Sequence, residues 1–213
     1  GKAEAVHQCG GARRSGVAVD LAQAPVQQAD LLARMLVVVM GFRRRKVAFY
    51  LAQLAVAVEH GVPLTARGSG TGLSGACIPQ PDGVLVSLAK LKKILRVDPV
   101  SRTAVVQPGV RNLAVSEAAA PHGLYYAPDP SSQIACTIGG NVAENSGGVH
   151  CLKYGLTVHN VMRVRGLTVE GEVVEFGNAA LDAPGYDLLA LVNGSEGLLA
   201  MITEVTVRLT PKP

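Results

Sequence analysis

The chain has 213 residues, of which 48% are hydrophobic and 17% are charged. This composition suffices for one sizeable core, divided at most into two small subdomains, and it excludes a disordered chain. The net charge of +4 comes with only 4% aromatic residues and no basic stripe interleaved with them, so we expect no nucleic-acid partner.

The cysteines exclude one class of metal centre. Cys9, Cys77, Cys136 and Cys151 stand far apart and form no C-x-x-C pair, so we expect no zinc ion or iron–sulfur cluster. Reduced thiols fit a bacterial cytoplasm or an organelle matrix. The apolar run at residues 31–40 is short and contains Arg34, so we expect no transmembrane or targeting segment.

The sequence pattern over residues 35–66 predicts a strand, a helix and a second strand. Residues 1–34 show no clear period, and we leave this segment unassigned. Residues 35–40 predict a buried strand, and residues 63–66 predict a short strand. Between them, apolar residues on one helical face predict a helix that ends at Gly61: Val47, Leu51, Leu54, Ala55 and Val58. These elements make a βαβ unit.

Residues 67–75 follow this unit and hold four glycines in nine residues. Glycine tolerates positive φ and lets successive backbone N–H groups converge on one anion. The hydroxyls of Ser69, Thr71 and Ser74 can add neutral donors. We interpret the segment as a phosphate cradle, and the alternative is a flexible surface loop.

The residues after the cradle exclude two familiar phosphate loops. Residues 70–75 fit G-x-G-x-x-G, but a Rossmann turn must open a helix, whereas Pro79 and Pro81 follow here and lead into an apolar run at 84–86. A P-loop needs Lys after its last glycine, and this chain has Ala76. The cradle belongs to another nucleotide-binding architecture.

The remaining elements predict an α+β domain. Strands are expected at residues 84–88 and 202–209, with hairpins formed by 94–97 with 103–107 and by 161–169 with 172–176. Helices are expected at 111–120, which Pro121 and Gly123 end, and near 186–192. Residues 125–130 are proline-rich and predict a shaped loop.

Two further glycine clusters lie at residues 137–148 and 194–197. The longer one has paired glycines at each end and two asparagines between, so its backbone can wrap closely around a ligand. Three glycine clusters indicate a domain folded around an elongated nucleotide.

These motifs together resemble the FAD-binding domain of the vanillyl-alcohol oxidase / p-cresol methylhydroxylase superfamily. Residues 67–75, 129–132, 137–148, 153–155 and 194–197 carry the resemblance, which covers about residues 45–213 and is strongest to the glycolate oxidase flavin subunit and the D-lactate dehydrogenases. It implies a two-subdomain FAD-binding domain of the p-cresol methylhydroxylase type over residues 35–213, with the C-terminal cap domain absent.

The resemblance also implies the cofactor-binding positions. The backbone from Gly68 to Gly72 would hold the FAD pyrophosphate, and Ile202 would lie near the adenosine. Residues that line the flavin or complete the site would be Arg67, Ser69, Gly70, Thr71, Ser74, Pro128, Asp129, Thr137, Gly139, Gly140, Asn141, Ser146, Gly147, Tyr154 and Gly155. Covalent members of the family have a histidine in the cradle, and this chain has none there, so its FAD should be non-covalent.

The function implied is oxidation of a small 2-hydroxy acid, glycolate or D-lactate. The substrate's α-hydrogen would leave as hydride to the flavin, and electrons would pass to other oxidase subunits or another acceptor rather than to NAD. The sequence identifies no catalytic base: Tyr154, His150 and His159 are candidates, but packing or cofactor binding is the preferred interpretation of each. The alternatives are a non-catalytic FAD-holding subunit of an electron-transfer complex and a nucleotide-binding module without flavin.

Overall fold

A computed structural model describes residues 46–180 and 184–213 of the chain. The strand expected at residues 35–40 and the unassigned segment 1–34 lie outside these residues, so the βαβ prediction remains open. The described chain divides into two compact units: residues 46–64 with 78–84, and residues 65–77 with 85–213.

The first unit is built on helix α1 (Lys46–Glu59). Its helical turns end at Gly61, whose φ of 61° is the left-handed conformation that glycine adopts most readily, as predicted. The buried face differs from the expected one, because Tyr50, Leu54 and Ala57 are buried whereas Ala55 and Val58 are exposed. The bulky Tyr50 side chain takes the inward position.

Strand β1 (Leu64–Arg67) carries the chain into the second unit, and strand β2 (Val84–Ser87) pairs with it in a two-stranded sheet. Residues 78–83 form turns and irregular structure before β2. The glycine-rich segment therefore opens no helix, which confirms the argument against a Rossmann turn.

The second unit contains a five-stranded antiparallel sheet with short helices between its strands. The remaining strands are β3 (Ile94–Asp98), β4 (Thr103–Val106), β5 (Leu124–Tyr125), β6 (Val161–Leu167), β7 (Val173–Gly177), β8 (Met201–Arg208) and β9 (Thr210–Pro211). The helices are α2 (Asn112–Ala119), α3 (Ile138–Glu144), α4 (Cys151–Tyr154), α5 (Thr157–Asn160) and α6 (Leu188–Val192). The sheet order is β3-β4-β8-β6-β7, and β5 pairs separately with β9.

One face of the five-stranded sheet forms the core. Ala104, Val106, Val164, Val205 and Val207 are at most 1% exposed, and they alternate along their strands as a buried sheet face requires. Helices α2, α3 and α6 add apolar side chains to this core cluster: Val115, Ala119, Ile138, Val142 and Val192. The packing fixes α3 against β8, and α3 carries much of the site described below.

The opposite face carries charged side chains that pair across strands. Arg163 lies 3.1 Å from Glu204 and 3.6 Å from Glu175, and Arg165 lies 3.5 Å from Glu175. These groups are partly exposed, so each pair contributes little to stability. Their position explains why the strand residues alternate between apolar and charged types.

Both predicted hairpins are confirmed. Strands β3 and β4 pair antiparallel around the turn at residues 99–102, and β6 and β7 pair around Gly171. The helix expected at 186–192 begins only at Leu188, because Asp187 caps it by accepting a hydrogen bond from the Ala190 N–H at 2.9 Å. Within the described ranges, no helix is both long and apolar enough to cross a membrane.

Candidate functional site

The glycine-rich segment and helix α3 form two walls of one cavity in the second unit. The cavity has a volume of about 330 Å³, within the range of small-molecule sites. Both walls come from segments that the sequence marked as glycine clusters. Of the predicted site residues, those that line the cavity are Gly68, Ser69, Gly70, Thr71, Gly72, Ser74, Thr137, Gly139, Gly140, Asn141, Ser146 and Ile202.

The glycines of the cradle lie close to side chains of the facing wall. A Cβ atom added to Gly68 would lie 2.5 Å from Thr137 Oγ1, and one added to Gly72 would lie 2.8 Å from Glu144 Oε1. Gly70 has a φ of 72°, a conformation that branched residues rarely adopt. Glycine at these positions therefore lets the backbone of the segment approach the side chains of α3 closely, and both line the same cavity.

Helix α3 presents a polar row to the cavity. Thr137, Asn141 and Glu144 are spaced i, i+4 and i+7, so they lie on one helical face, while Ile138 and Val142 are fully buried in the core. Thr137 Oγ1 and Asn141 Nδ2 are buried and have no hydrogen-bond partner among the described residues. Because buried polar groups are nearly always paired, these two atoms mark a place for a polar ligand.

The third glycine cluster closes the cavity at the carboxyl end of α3. The Gly194 N–H donates to the Val142 carbonyl and the Glu196 N–H to the Ala143 carbonyl, both at 2.8 Å. The Glu196 contact pairs a carbonyl in the last turn of the helix, and the Gly194 contact adds a second donor to the Val142 carbonyl, which also accepts the Asn145 N–H at 3.3 Å. Glu196 (φ 54°) and Gly197 (φ 81°), which adopt positive φ, thereby line the cavity.

The charged groups of the lining are acidic. Among the described residues that line the cavity, Glu144 and Glu196 are the only ionisable ones apart from the thiols Cys77 and Cys136. Ser74 Oγ donates to both carboxylate oxygens of Glu144 at 2.8 Å. Donors for an anion in this cavity are therefore neutral, namely backbone N–H groups and the hydroxyls of Ser69 and Thr71.

Six predicted site residues do not line the cavity: Arg67, Pro128, Asp129, Gly147, Tyr154 and Gly155. The Asp129 carboxylate accepts the His150 backbone N–H at 3.1 Å and lies 2.6 Å from His150 Nδ1. The Pro128 carbonyl accepts from the buried Asn112 side chain. Gly155 (φ 79°) packs against His159, whose Nδ1 accepts the Leu156 N–H.

Tyr154 belongs to a cluster beside Asp129. Its ring stands edge-on to that of Tyr125 at 6.1 Å, and Lys153 Nζ lies 4.9 Å from the Tyr154 ring centre. Burial raises the pKa of Tyr125 to about 12, and Tyr154 and the Asp129 carboxylate add to this rise. The Tyr125 hydroxyl, aided by Lys153, lowers the pKa of Tyr154. None of the three candidate bases, Tyr154, His150 and His159, lines the cavity.

The cysteines take no part in a metal centre in the described part of the chain. Cys77, Cys136 and Cys151 are free thiols, and no group of three potential ligands converges there. Burial raises the pKa of Cys136, so this thiol is a poor nucleophile at neutral pH.

Sequence reasoning missed several residues of the lining. Glu144 was overlooked because residues 137–148 were interpreted as an irregular ligand-wrapping segment, whereas residues 138–144 are helical. The spacing of Ile138 and Val142 was the available signal for that helix. Leu88, Pro108 and Cys136 reach the cavity only through tertiary packing, for which no local pattern existed.

Comparison with known proteins identifies the family. Residues 42–177 match the model of a family described as an FAD binding domain. The chain is 64% identical over 162 residues to the glycolate oxidase subunit GlcD of Escherichia coli strain K12, which covers 76% of this chain and 32% of that protein. It is 40% identical over 162 residues to a D-lactate dehydrogenase of Archaeoglobus fulgidus, covering 76% and 36%.

Solved structures agree with these matches. Alkyldihydroxyacetonephosphate synthase, in two crystal forms, superposes with TM-scores of 0.66 and 0.68 at 25% and 27% identity, covering 76% of this chain and 32% and 29% of the synthase. The chain spans about a third of the length of the curated relatives it matches. The family model covers well over half of the chain, so the chain belongs to the FAD-binding domain family that its motifs indicated.

Proposed function

We propose that this chain is the FAD-binding part of a flavin-dependent oxidase or dehydrogenase of small 2-hydroxy acids, with glycolate or D-lactate as substrate. The relatives named as glycolate oxidase subunit and D-lactate dehydrogenase support this choice. The observation that carries it is the cavity between the glycine-rich segment and α3, where Thr137 Oγ1 and Asn141 Nδ2 have no hydrogen-bond partner among the described residues.

The residues present fit FAD. Backbone N–H groups from Gly68 to Gly72 would hold the pyrophosphate without a cation, and Thr137 and Asn141 would make polar contacts to the cofactor. Gly139, Gly140 and Ser146 would line the flavin, and Ile202 would lie near the adenosine. Bound FAD supplies the hydride acceptor for oxidation of the substrate. Residues 67–75 contain no histidine, which supports non-covalent binding.

Three predicted site residues outside the lining have a supporting role in this proposal. Asp129 holds His150 and so joins the loop at residues 128–132 to the segment that follows Gly148. Because Ser132, at the end of this loop, lines the cavity, the contact between Asp129 and His150 would help to hold the loop at the cavity wall. Asp129, Gly147 and Gly155 would thereby shape the flavin-facing wall.

The domain organisation is part of the proposal. Residues 35–213 would form a two-subdomain FAD-binding domain, and residues 1–34 stay unassigned. A cap domain would supply the groups that clamp the substrate carboxylate, since such clamps normally use charge-assisted contacts and the described residues that line the cavity include no cation. Other oxidase subunits or a separate electron acceptor would receive the electrons, in a bacterial cytoplasm or an organelle matrix.

A flavin titration combined with a turnover assay tests the proposal. The chain should bind FAD, and with FAD alone it should reduce an artificial dye with glycolate or D-lactate far below an ordinary rate of about 1 per second. Joining a cap domain after Pro213 should restore turnover. FAD binding without turnover in the capped protein would favour a non-catalytic FAD-holding subunit, and failure to bind FAD would refute the proposal.

A further inference from the structure

The carboxylate of Glu144 lies in the cavity wall beside the proposed pyrophosphate segment. It is close to the Gly72 backbone, where an added Cβ would approach Oε1 to 2.8 Å, and both of its oxygens face the Ser74 hydroxyl. Glu144 is also the last residue of α3, where a negative charge is unfavourable for the helix. The position of this carboxylate is therefore not explained by the stability of α3.

A carboxylate in such a place can act on a dinucleotide in two opposite ways. It can repel the pyrophosphate, or it can accept hydrogen bonds from hydroxyl groups that flank the pyrophosphate on both sides. An ionised carboxylate has about four acceptor positions, and the single Ser74 proton uses only part of them. Acidic side chains serve as acceptors for ribose hydroxyls in other dinucleotide sites.

The contact with Ser74 favours the acceptor role. At 2.8 Å from both oxygens, the Ser74 hydroxyl shows that this carboxylate accepts an aliphatic hydroxyl at this point of the wall. Glu144 also continues the polar row of Thr137 and Asn141, whose Oγ1 and Nδ2 atoms have no partner among the described residues. The row thus offers a continuous set of polar groups to one elongated ligand.

We propose that Glu144 accepts a hydrogen bond from a hydroxyl of bound FAD, either on the ribityl chain or on the adenosine ribose. This inference rests on the proposed function, because it assumes that FAD is the ligand. It adds a cofactor contact at a residue that the motifs did not mark, and it makes Ser74 the group that orients the carboxylate.

The test measures FAD affinity rather than activity. Glu144→Gln keeps the shape and one acceptor but loses the charge, so its Kd for FAD, followed by flavin fluorescence, should rise about three- to tenfold. Glu144→Ala should raise it about 10- to 100-fold. Glu172→Gln, on the exposed β6–β7 turn, makes the same change in charge away from the cavity and should stay within about twofold. Thermal unfolding without ligand checks that each variant folds.

Two further probes distinguish the two sugars. ADP carries the ribose but no ribityl chain, and riboflavin carries the ribityl chain but no ribose. A higher Kd for ADP, measured for ADP itself in Glu144→Ala, would assign the contact to the ribose, and higher Kd values confined to FAD and riboflavin would assign it to the ribityl chain.

Other results would overturn the inference. If Glu144→Gln bound FAD as tightly as the unchanged chain, the carboxylate would have no ligand, and tighter binding would show that it repels the pyrophosphate. An equal loss in Glu172→Gln would show a general effect of charge rather than a contact. Failure of the unchanged chain to bind FAD would overturn the proposed function itself along with this inference, and is thereby distinguishable from an inert Glu144.

Discussion

Gly140 offers a substitution that should separate the site from the fold. It lies inside helix α3 and lines the cavity, and a Cβ added there would meet only Thr137 Oγ1, at 3.3 Å. Alanine is favoured over glycine in a helix by about 0.5–1 kcal/mol. Because Thr137 needs to move by only a few tenths of an ångström, the free energy of unfolding of Gly140→Ala without ligand should be unchanged or up to about 1 kcal/mol higher.

The same substitution should weaken FAD binding. The added methyl group would stand on the cavity wall, where the proposed ligand approaches the backbone, and would crowd the Thr137 hydroxyl that is to contact it. We expect at least a tenfold higher Kd for FAD, which corresponds to about 1.4 kcal/mol. Flavin fluorescence gives the Kd, and urea unfolding followed by circular dichroism gives the stability.

Gly139→Ala is the matched control. A Cβ at this neighbouring position would lie 2.5 Å from Pro108 Cβ and 3.2 Å from the Pro108 carbonyl oxygen. Overpacking of this kind costs about 1–3 kcal/mol, so Gly139→Ala should lose stability where Gly140→Ala does not. If Gly140→Ala were as stable as the unchanged chain and bound FAD equally well, the assignment of α3 to the cofactor site would be refuted.

Three further predictions test the phosphate cradle, the non-covalent attachment of the flavin and the turn between β3 and β4. Valine at Gly70 or Gly72 should abolish FAD binding, because Gly70 has a φ of 72° and a Cβ at Gly72 would lie 2.8 Å from Glu144 Oε1; unchanged affinity in an equilibrium titration would contradict the cradle. Acid precipitation should release all flavin into the supernatant, whereas colour in the pellet would show a covalent link. Hydrogen bonds from Ser101 and Val100, with the Arg96 charge, lower the pKa of Asp98. Because the pKa of Asp98 is lower in the folded than in the unfolded chain, ionised Asp98 stabilises the fold at pH values above its unfolded-state pKa. The decrease in the urea midpoint caused by Asp98→Asn should therefore be largest near pH 7 and become smaller below about pH 4. A midpoint difference independent of pH would count against this cause.

The hairpins and their turns could be predicted because the responsible signals are local. Alternating apolar residues on either side of Asp98 and Gly171 identify paired strands and the turn that joins them. The end of α2 was equally readable from Pro121 and Gly123, the latter with a φ of 66°. In each case a few adjacent residues restrict the backbone to one conformation.

The helix inside the second glycine cluster could not be predicted as readily from the sequence. Gly139 and Gly140 lower helix propensity and favour an irregular segment, yet Ile138 and Val142 bury fully against the sheet and hold residues 138–144 in a helix. Tertiary packing outweighed local preference here. Because the helix was not predicted, the position of Glu144 in the cavity lining was not predicted either, since it follows from the helical spacing to Asn141.

The resemblance to a known family identified residues that one chain's chemistry alone would not. Asp129 and Tyr154 have no local feature that places them near a cofactor, and in the structure neither lines the cavity. By contrast, the cradle at residues 68–72 was predictable from glycine spacing, and its backbone does line the cavity. Their roles toward FAD remain predictions.

A crystal structure of the 213-residue chain with FAD bound tests the central claim most directly. We predict pyrophosphate density over the backbone of residues 68–72, with polar contacts from Thr137 Oγ1 and Asn141 Nδ2 to the cofactor. Density for FAD elsewhere on the chain, or a cavity that stays empty at saturating FAD, would contradict the account.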